Sequence, residues 1–71
     1  MISYRYRVSA TIPEQRNREK LTEDLKNLGV TCSETNDNVT VEGEAILEVC
    51  LSVALRFLSY KEHCFYLSRK G

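Results

Sequence analysis

The chain has 71 residues, 42% of them hydrophobic and 28% charged, with ten bases against ten acids. This composition excludes a disordered segment, and a net charge of zero gives no overall electrostatic pull toward nucleic acid or an anionic membrane. A single domain spanning residues 1–71 buries only about 60% of its unfolded surface, so a disulfide, a metal or a partner chain would supply stability it is short of.

Residues 2–12, ISYRYRVSATI, alternate with period two. Ile2, Tyr4, Tyr6, Val8, Ala10 and Ile12 fall on one side, and Ser3, Arg5, Arg7, Ser9 and Thr11 on the other, the pattern of a half-buried strand. Pro13 has no N–H to donate and stops the ladder. Residues 14–28 read as a helix, with Leu21, Leu25 and Leu28 at i, i+4 and i+7. Pro13 suits its first position and Gly29 the residue after its end. Its opening, EQRNREK, carries no apolar residue and sets cations against the helix dipole, so helix is weakly supported there.

Val30 to Ser33 form a short strand, and ETNDN supplies turn formers. NVTVE then alternates again, with Val39 and Val41 inward, which completes a hairpin that Gly43 ends. Glu44 and Glu48 are expected in the first turns of a second helix running to Lys61 or His63, where carboxylates favour the dipole. CFYLSRK reads as a final strand. The order strand, helix, strand, strand, helix, strand predicts a ferredoxin-like βαββαβ α+β sandwich: a four-stranded antiparallel sheet, order 4-1-3-2, with two helices on one face.

The second helix is greasier than that architecture requires. On a helical wheel Glu48, Ser52, Arg56 and Ser59 share a polar arc of about 80°, and the apolar arc spans roughly 240° where a surface helix needs little more than ~100°. Ile46, Cys50, Ala54 and Phe57 form the sheet-facing stripe. Val49, Val53 and Tyr60 form one shoulder, which helix one can cover. Leu47, Leu51, Leu55 and Leu58 form the other, with no partner evident in the chain. Each large side chain left exposed forgoes about 1.5–3 kcal/mol. This shoulder is therefore expected to be an interface, for a homodimer or for another protein.

No constellation for chemistry stands out. Cys32, Cys50 and Cys64 are an odd, widely spaced set, unlike a secreted disulfide framework. His63 is the one histidine, and no paired spacing for a metal is present. The loop after the first strand, TIPEQ, holds neither the cysteines of ferredoxin-like metal carriers nor the glycines with which acylphosphatases cradle phosphate. Ser9, Ala10 and Thr11, at the end of the first strand, stand where ACT-type domains carry the glycine beside which they take amino acids. No enzyme activity, cofactor or metal is expected. The opening residues lack the apolar core of a signal peptide, and Glu48, Ser52 and Arg56 interrupt the longest apolar run, so no membrane span is expected and the cytoplasm is the default location.

The rival reading is nucleic-acid binding on the open sheet face. Arg5, Arg7 and Tyr66 would face outward there, joined by Arg16, Arg18, Arg69 and Lys70. The stacking aromatics of the RNA recognition motif are replaced on the two central strands by arginine, threonine and glutamate. A cross-strand Arg5–Glu42 pair would occupy one of those bases structurally. Charge is uneven along the chain, basic over the first twenty residues and acidic from Glu34 to Glu48, which predicts a basic and an acidic side.

Overall fold

A computed structural model describes residues 1–70. The elements are β1 (Tyr4–Thr11), α1 (Gln15–Asn27), β2 (Cys32–Thr35), β3 (Asn38–Ala45), α2 (Leu47–Phe57) and β4 (His63–Arg69). They form one antiparallel sheet in the order β2-β3-β1-β4. This is the expected ferredoxin-like arrangement and strand order.

The period-two pattern of β1 sets the two faces. Tyr6, Val8, Ala10 and Ile12 are buried and meet Val39 and Val41 of β3. Leu21 and Leu25 from α1, with Cys50, Val53 and Phe57 from α2, close the core over them. Among the described residues no polar or charged residue is buried. Ile2, read as the first inward residue, lies outside the strand and is half exposed, because β3 ends opposite Tyr4.

The helix of residues 14–28 is present from Gln15, including the polar opening whose cations oppose the dipole. Pro13 stands one residue before the N-cap Glu14 rather than at the first helical position. The C-terminus closes as a Schellman motif: Gly29 N–H donates to Lys26 C=O at 2.9 Å and Val30 N–H to Leu25 C=O at 3.3 Å. Gly29 has φ 83°, a left-handed conformation that costs other L-residues energy. Val30 is thereby tied to the helix end, and β2 begins at Cys32, two residues later than the sequence suggests.

The β2–β3 turn is shorter than ETNDN. Only Asn36 and Asp37 lie outside the ladder, and Asn36 takes φ 54°, the positive value a tight hairpin requires. At the other end, Gly43 does not stop β3. It pairs with Tyr6, and a Cβ there would sit 3.5 Å from the Tyr6 hydroxyl, so the ring lies over the space a side chain would take. The strand runs on to Ala45, which moves Glu44 out of α2 and into the sheet. The pairing is consequently Arg7 with Glu42 and Arg5 with Glu44, two residues from the expected Arg5–Glu42 pair. α2 is also shorter than expected, ending at Phe57 with Leu58 as its C-cap.

Candidate functional site

α2 lies across β1, β3 and β4 with α1 along one flank. Its buried residues, Cys50, Val53 and Phe57, repeat at three- and four-residue spacing and point into the core. Tyr60 reaches the α1 side, where its hydroxyl donates to the Asn17 carbonyl at 3.4 Å. Burial, followed by the nearby Asp24 carboxylate, pushes the Tyr60 phenol above its usual range.

Among the described residues nothing covers the other shoulder. Leu47, Leu51, Leu55 and Leu58 are 39%, 45%, 58% and 61% exposed. Leu47, Leu51 and Leu55 are successive i+4 neighbours, and Leu58 continues the row at the cap, so the four form one strip. The fold extends this strip with a residue that the sequence reading left out. Phe65 pairs with buried Val8 and so projects on the helix-bearing side of β4, yet it remains 40% exposed. Leu67, paired with Tyr6, is half-buried on the same face. The alternation within CFYLSR carries this signal, once the parity of β4 is known from its pairing.

The opposite face of the sheet holds a second feature. Arg5 and Arg7, Glu42 and Glu44, and Tyr66 line an open cleft of about 350 Å³ whose floor includes Gly43. Cross-strand register puts Arg7 between Glu42 and Tyr66, and Arg5 between Glu44 and Ser68. Both arginines are held by the neighbouring acids: Arg7 Nε is 3.7 Å from Glu42 Oε2, and Arg5 Nη2 is 3.4 Å from Glu44 Oε1. Lys70 Nζ adds a 2.6 Å bond to Glu44 Oε2. The Lys70 hydrogen bond, with the cationic charges of Lys70 and Arg5, holds the Glu44 carboxyl below its ordinary range.

Of the remaining bases of the predicted nucleic-acid surface, Lys70 reaches this cleft through Glu44, and Arg69, Arg16 and Arg18 do not. Arg69 pairs with Tyr4 and so lies on the helix-bearing side of the sheet. Arg16 is exposed in the first turn of α1, past the far end of β1. Arg18 has a structural post: its Nη1 donates to the carbonyls of Ile12 at 2.8 Å and Pro13 at 2.9 Å, and sits 3.7 Å from Asp37. The expected division into a basic and an acidic side is absent from these pairs, because antiparallel β1 and β3 lay the basic segment directly along the acidic one.

Cys32, Cys50 and Cys64 are free and lie on three different elements. Burial pushes the Cys50 thiol up, and its Sγ donates to the Ala45 carbonyl at 3.6 Å. Burial and then Glu34 push Cys32 up. Low thiolate character at both positions is the opposite of what nucleophilic work requires. Among the described residues no three His, Cys, Asp or Glu side chains converge as metal ligands, and no helix is long and apolar enough to cross a membrane.

No protein-family model matches the chain, and no curated protein matches it. Solved structures do. One is a Thermus thermophilus protein provisionally described as a PII-like signaling protein, with a TM-score of 0.59 and 18% identity over 99% of this chain and 87% of that one. Another is the de novo designed protein Ferredog-Diesel, with a TM-score of 0.57 and 18% identity over 93% of this chain and 83% of that one. Likeness at this identity establishes the shared fold. The designed example underlines that the architecture is reachable by chain packing alone, so function has to be argued from the surface.

Proposed function

We propose that the protein is a small, non-catalytic regulatory module of the cytoplasm that works by binding protein through the leucine strip of α2. One observation carries this reading: the helix is fully buried along Cys50, Val53 and Phe57 while Leu47, Leu51, Leu55 and Leu58 stand exposed on the adjoining shoulder. Single exposed leucines are ordinary, but a contiguous strip on one helix face is how docking surfaces are built. A partner covering the strip recovers the burial that the chain itself cannot provide. The likeness to a protein described as PII-like in signaling agrees with a regulatory role for so small a fold.

Affinity capture from the native host tests it, comparing the wild type with Leu51→Lys/Leu55→Lys. The reading expects a protein retained by the wild type and lost from the double variant. Identical capture by the two overturns it.

The cleft on the open face supports a second reading, nucleic-acid binding, because it does bring Arg5, Arg7 and Tyr66 together. Glu42 and Glu44 already engage both arginines, which weakens the attraction for phosphate. A gel shift that falls steeply with salt and disappears in Arg5→Ala/Arg7→Ala would favour this reading over protein docking.

A further inference from the structure

Among the described residues the leucine strip borders a second unpartnered feature, the free edge of β4. The two edges of the sheet differ. β2 is four residues long and carries Glu34, so shortness and charge blunt it. β4 is seven residues long, contains no proline, and from Cys64 to Ser68 carries no charge. An edge of that length and character is a template for another strand.

The hydrogen bonds show which backbone groups are free. Thr11 N–H donates to Glu62 C=O and Lys70 N–H to Ser3 C=O, bracketing the β1–β4 ladder. Their register makes Glu62, Cys64, Tyr66, Ser68 and Lys70 the residues whose backbone groups turn toward β1. His63, Phe65, Leu67 and Arg69 therefore turn their N–H and C=O groups out to the open edge.

We propose that two copies of this chain pair antiparallel through β4, about a twofold axis perpendicular to the sheet at Tyr66, giving one eight-stranded sheet with the two α2 leucine strips facing each other. This rests on the reading of the strip as a protein-binding surface and names its partner as a second copy. A perpendicular twofold keeps open face with open face, so both α2 helices come to the same side. Directly opposed residues of antiparallel strands share a face, which restricts such an axis to pass through a residue. The Tyr66 register overlaps the whole of His63–Arg69 with itself. It sets Phe65 against Leu67 of the second copy on the helix side, and Tyr66 against Tyr66 on the open face.

The dimensions fit. With strands spaced about 4.8 Å apart, β1 lies roughly 7 Å from the axis, so helices standing over β1 would be about 14 Å apart. That exceeds the 8–10 Å of direct helix contact, and the excess is space that the leucine strips and Phe65 occupy. The exposed parts of the four leucines and Phe65 amount to roughly 450 Å² per copy, about half the ~800 Å² per partner of a standard interface. Apposition of two seven-residue edges supplies the remainder. Neither feature alone gives a stable dimer, and the fold places them side by side.

The test is sedimentation velocity from low to high micromolar concentration, with disulfide trapping to report the register. The wild type is expected at twice the chain mass. Phe65→Lys and, separately, Leu51→Lys/Leu55→Lys are expected to weaken association by about 100-fold or more, because each buries an unpaired ammonium group. Circular dichroism confirms that each remains folded. In a Cys64→Ser background, Tyr66→Cys places two thiols across a non-hydrogen-bonded pair with Cα atoms about 4.5 Å apart, within disulfide range. Oxidised glutathione, taking up the two electrons and two protons, should then yield a covalent dimer that Cys64→Ser alone does not form. A monomer throughout the concentration range overturns the proposal, and the capture experiment then decides separately whether the strip binds a different protein. A dimer indifferent to Phe65→Lys, or one that Tyr66→Cys fails to trap, overturns the edge pairing while leaving the strip as an interface.

Discussion

Arg18 is expected to contribute measurably to the stability of the fold. Its side chain is only 16% exposed, and Nη1 bridges the carbonyls of Ile12 and Pro13 where β1 turns into α1. Asp37, 3.7 Å away, belongs to the β2–β3 turn, and its own carbonyl accepts from Ile12 N–H at 2.7 Å. The guanidinium thus fastens one end of the sheet at a corner where three segments meet. Arg18→Met keeps most of the aliphatic stem and removes the charge. The part-buried bond to Ile12 is worth about 1.5–3 kcal/mol as a charged donor. Water can replace Arg18 at the exposed Pro13 carbonyl, and the half-exposed ion pair with Asp37 adds about 0.2–1 kcal/mol. The expected loss is about 2–3 kcal/mol, a large share of the ~4–11 kcal/mol that per-residue stability allows a chain of this length. Urea denaturation followed by circular dichroism measures it, with an unchanged m-value showing that the two-state transition persists. Arg16→Met, at an exposed site, is the control and should stay within about 0.5 kcal/mol. Equal stabilities for the two variants would refute the assignment of Arg18 to the corner.

The two sides of α2 should answer truncation differently: Phe57→Ala is expected to cost about 3–5 kcal/mol, whereas Leu55→Ala, more than half exposed in a single copy, should cost under about 1 kcal/mol under dilute, monomeric conditions, and comparable losses in urea melts would contradict the burial pattern. Gly29→Ala should cost about 1–2 kcal/mol from backbone strain alone, since no atom lies within 4 Å of the added Cβ, and a neutral urea midpoint would contradict the left-handed geometry. The Glu44 carboxyl should titrate below the ordinary 4.5 in a carbon-detected NMR pH series, and Lys70→Ala should move it back up. Because the folded-state pKa is the lower one, the favourable contribution of Glu44 is present above the ordinary carboxylate range and is lost as pH falls through the folded value. An unmoved Glu44 in the lysine variant would count against the pairing.

Much of the fold was legible because period two in β1 and heptad-like spacing in α1 both report burial directly. Tyr6, Val8, Ala10 and Ile12 are the inward set, and the order of elements leads to the strand order β2-β3-β1-β4. What was not legible depended on contacts between distant segments. Gly43 looks like a strand terminator until Tyr6 is seen lying over the space its side chain would fill. With Gly43 inside the strand, β3 runs on to Ala45 and Glu44 lies in the sheet rather than in the helix, and the register that sets Arg5 against Glu44 is likewise visible only in the paired strands. Arg18 and Arg69 read as surface bases because nothing local shows the carbonyls of the β1–α1 corner or the face on which Arg69 emerges. The leucine strip was legible because an excess of apolar arc on a helix needs no tertiary information, whereas Phe65 needed the β1–β4 register to be placed beside it.

The central claim is that the α2 strip is a surface for protein contact, and leucine methyl NMR tests it most directly. Spectra recorded on dilution, and again after addition of host extract, should show the methyl signals of Leu47, Leu51, Leu55 and Leu58 shifting or broadening. Those of buried Leu21 and Leu25 should hold their positions. If the four exposed leucines stay unchanged under both conditions while resonances of Arg5, Arg7 and Tyr66 respond, the strip is ordinary surface and the working face is the opposite side of the sheet.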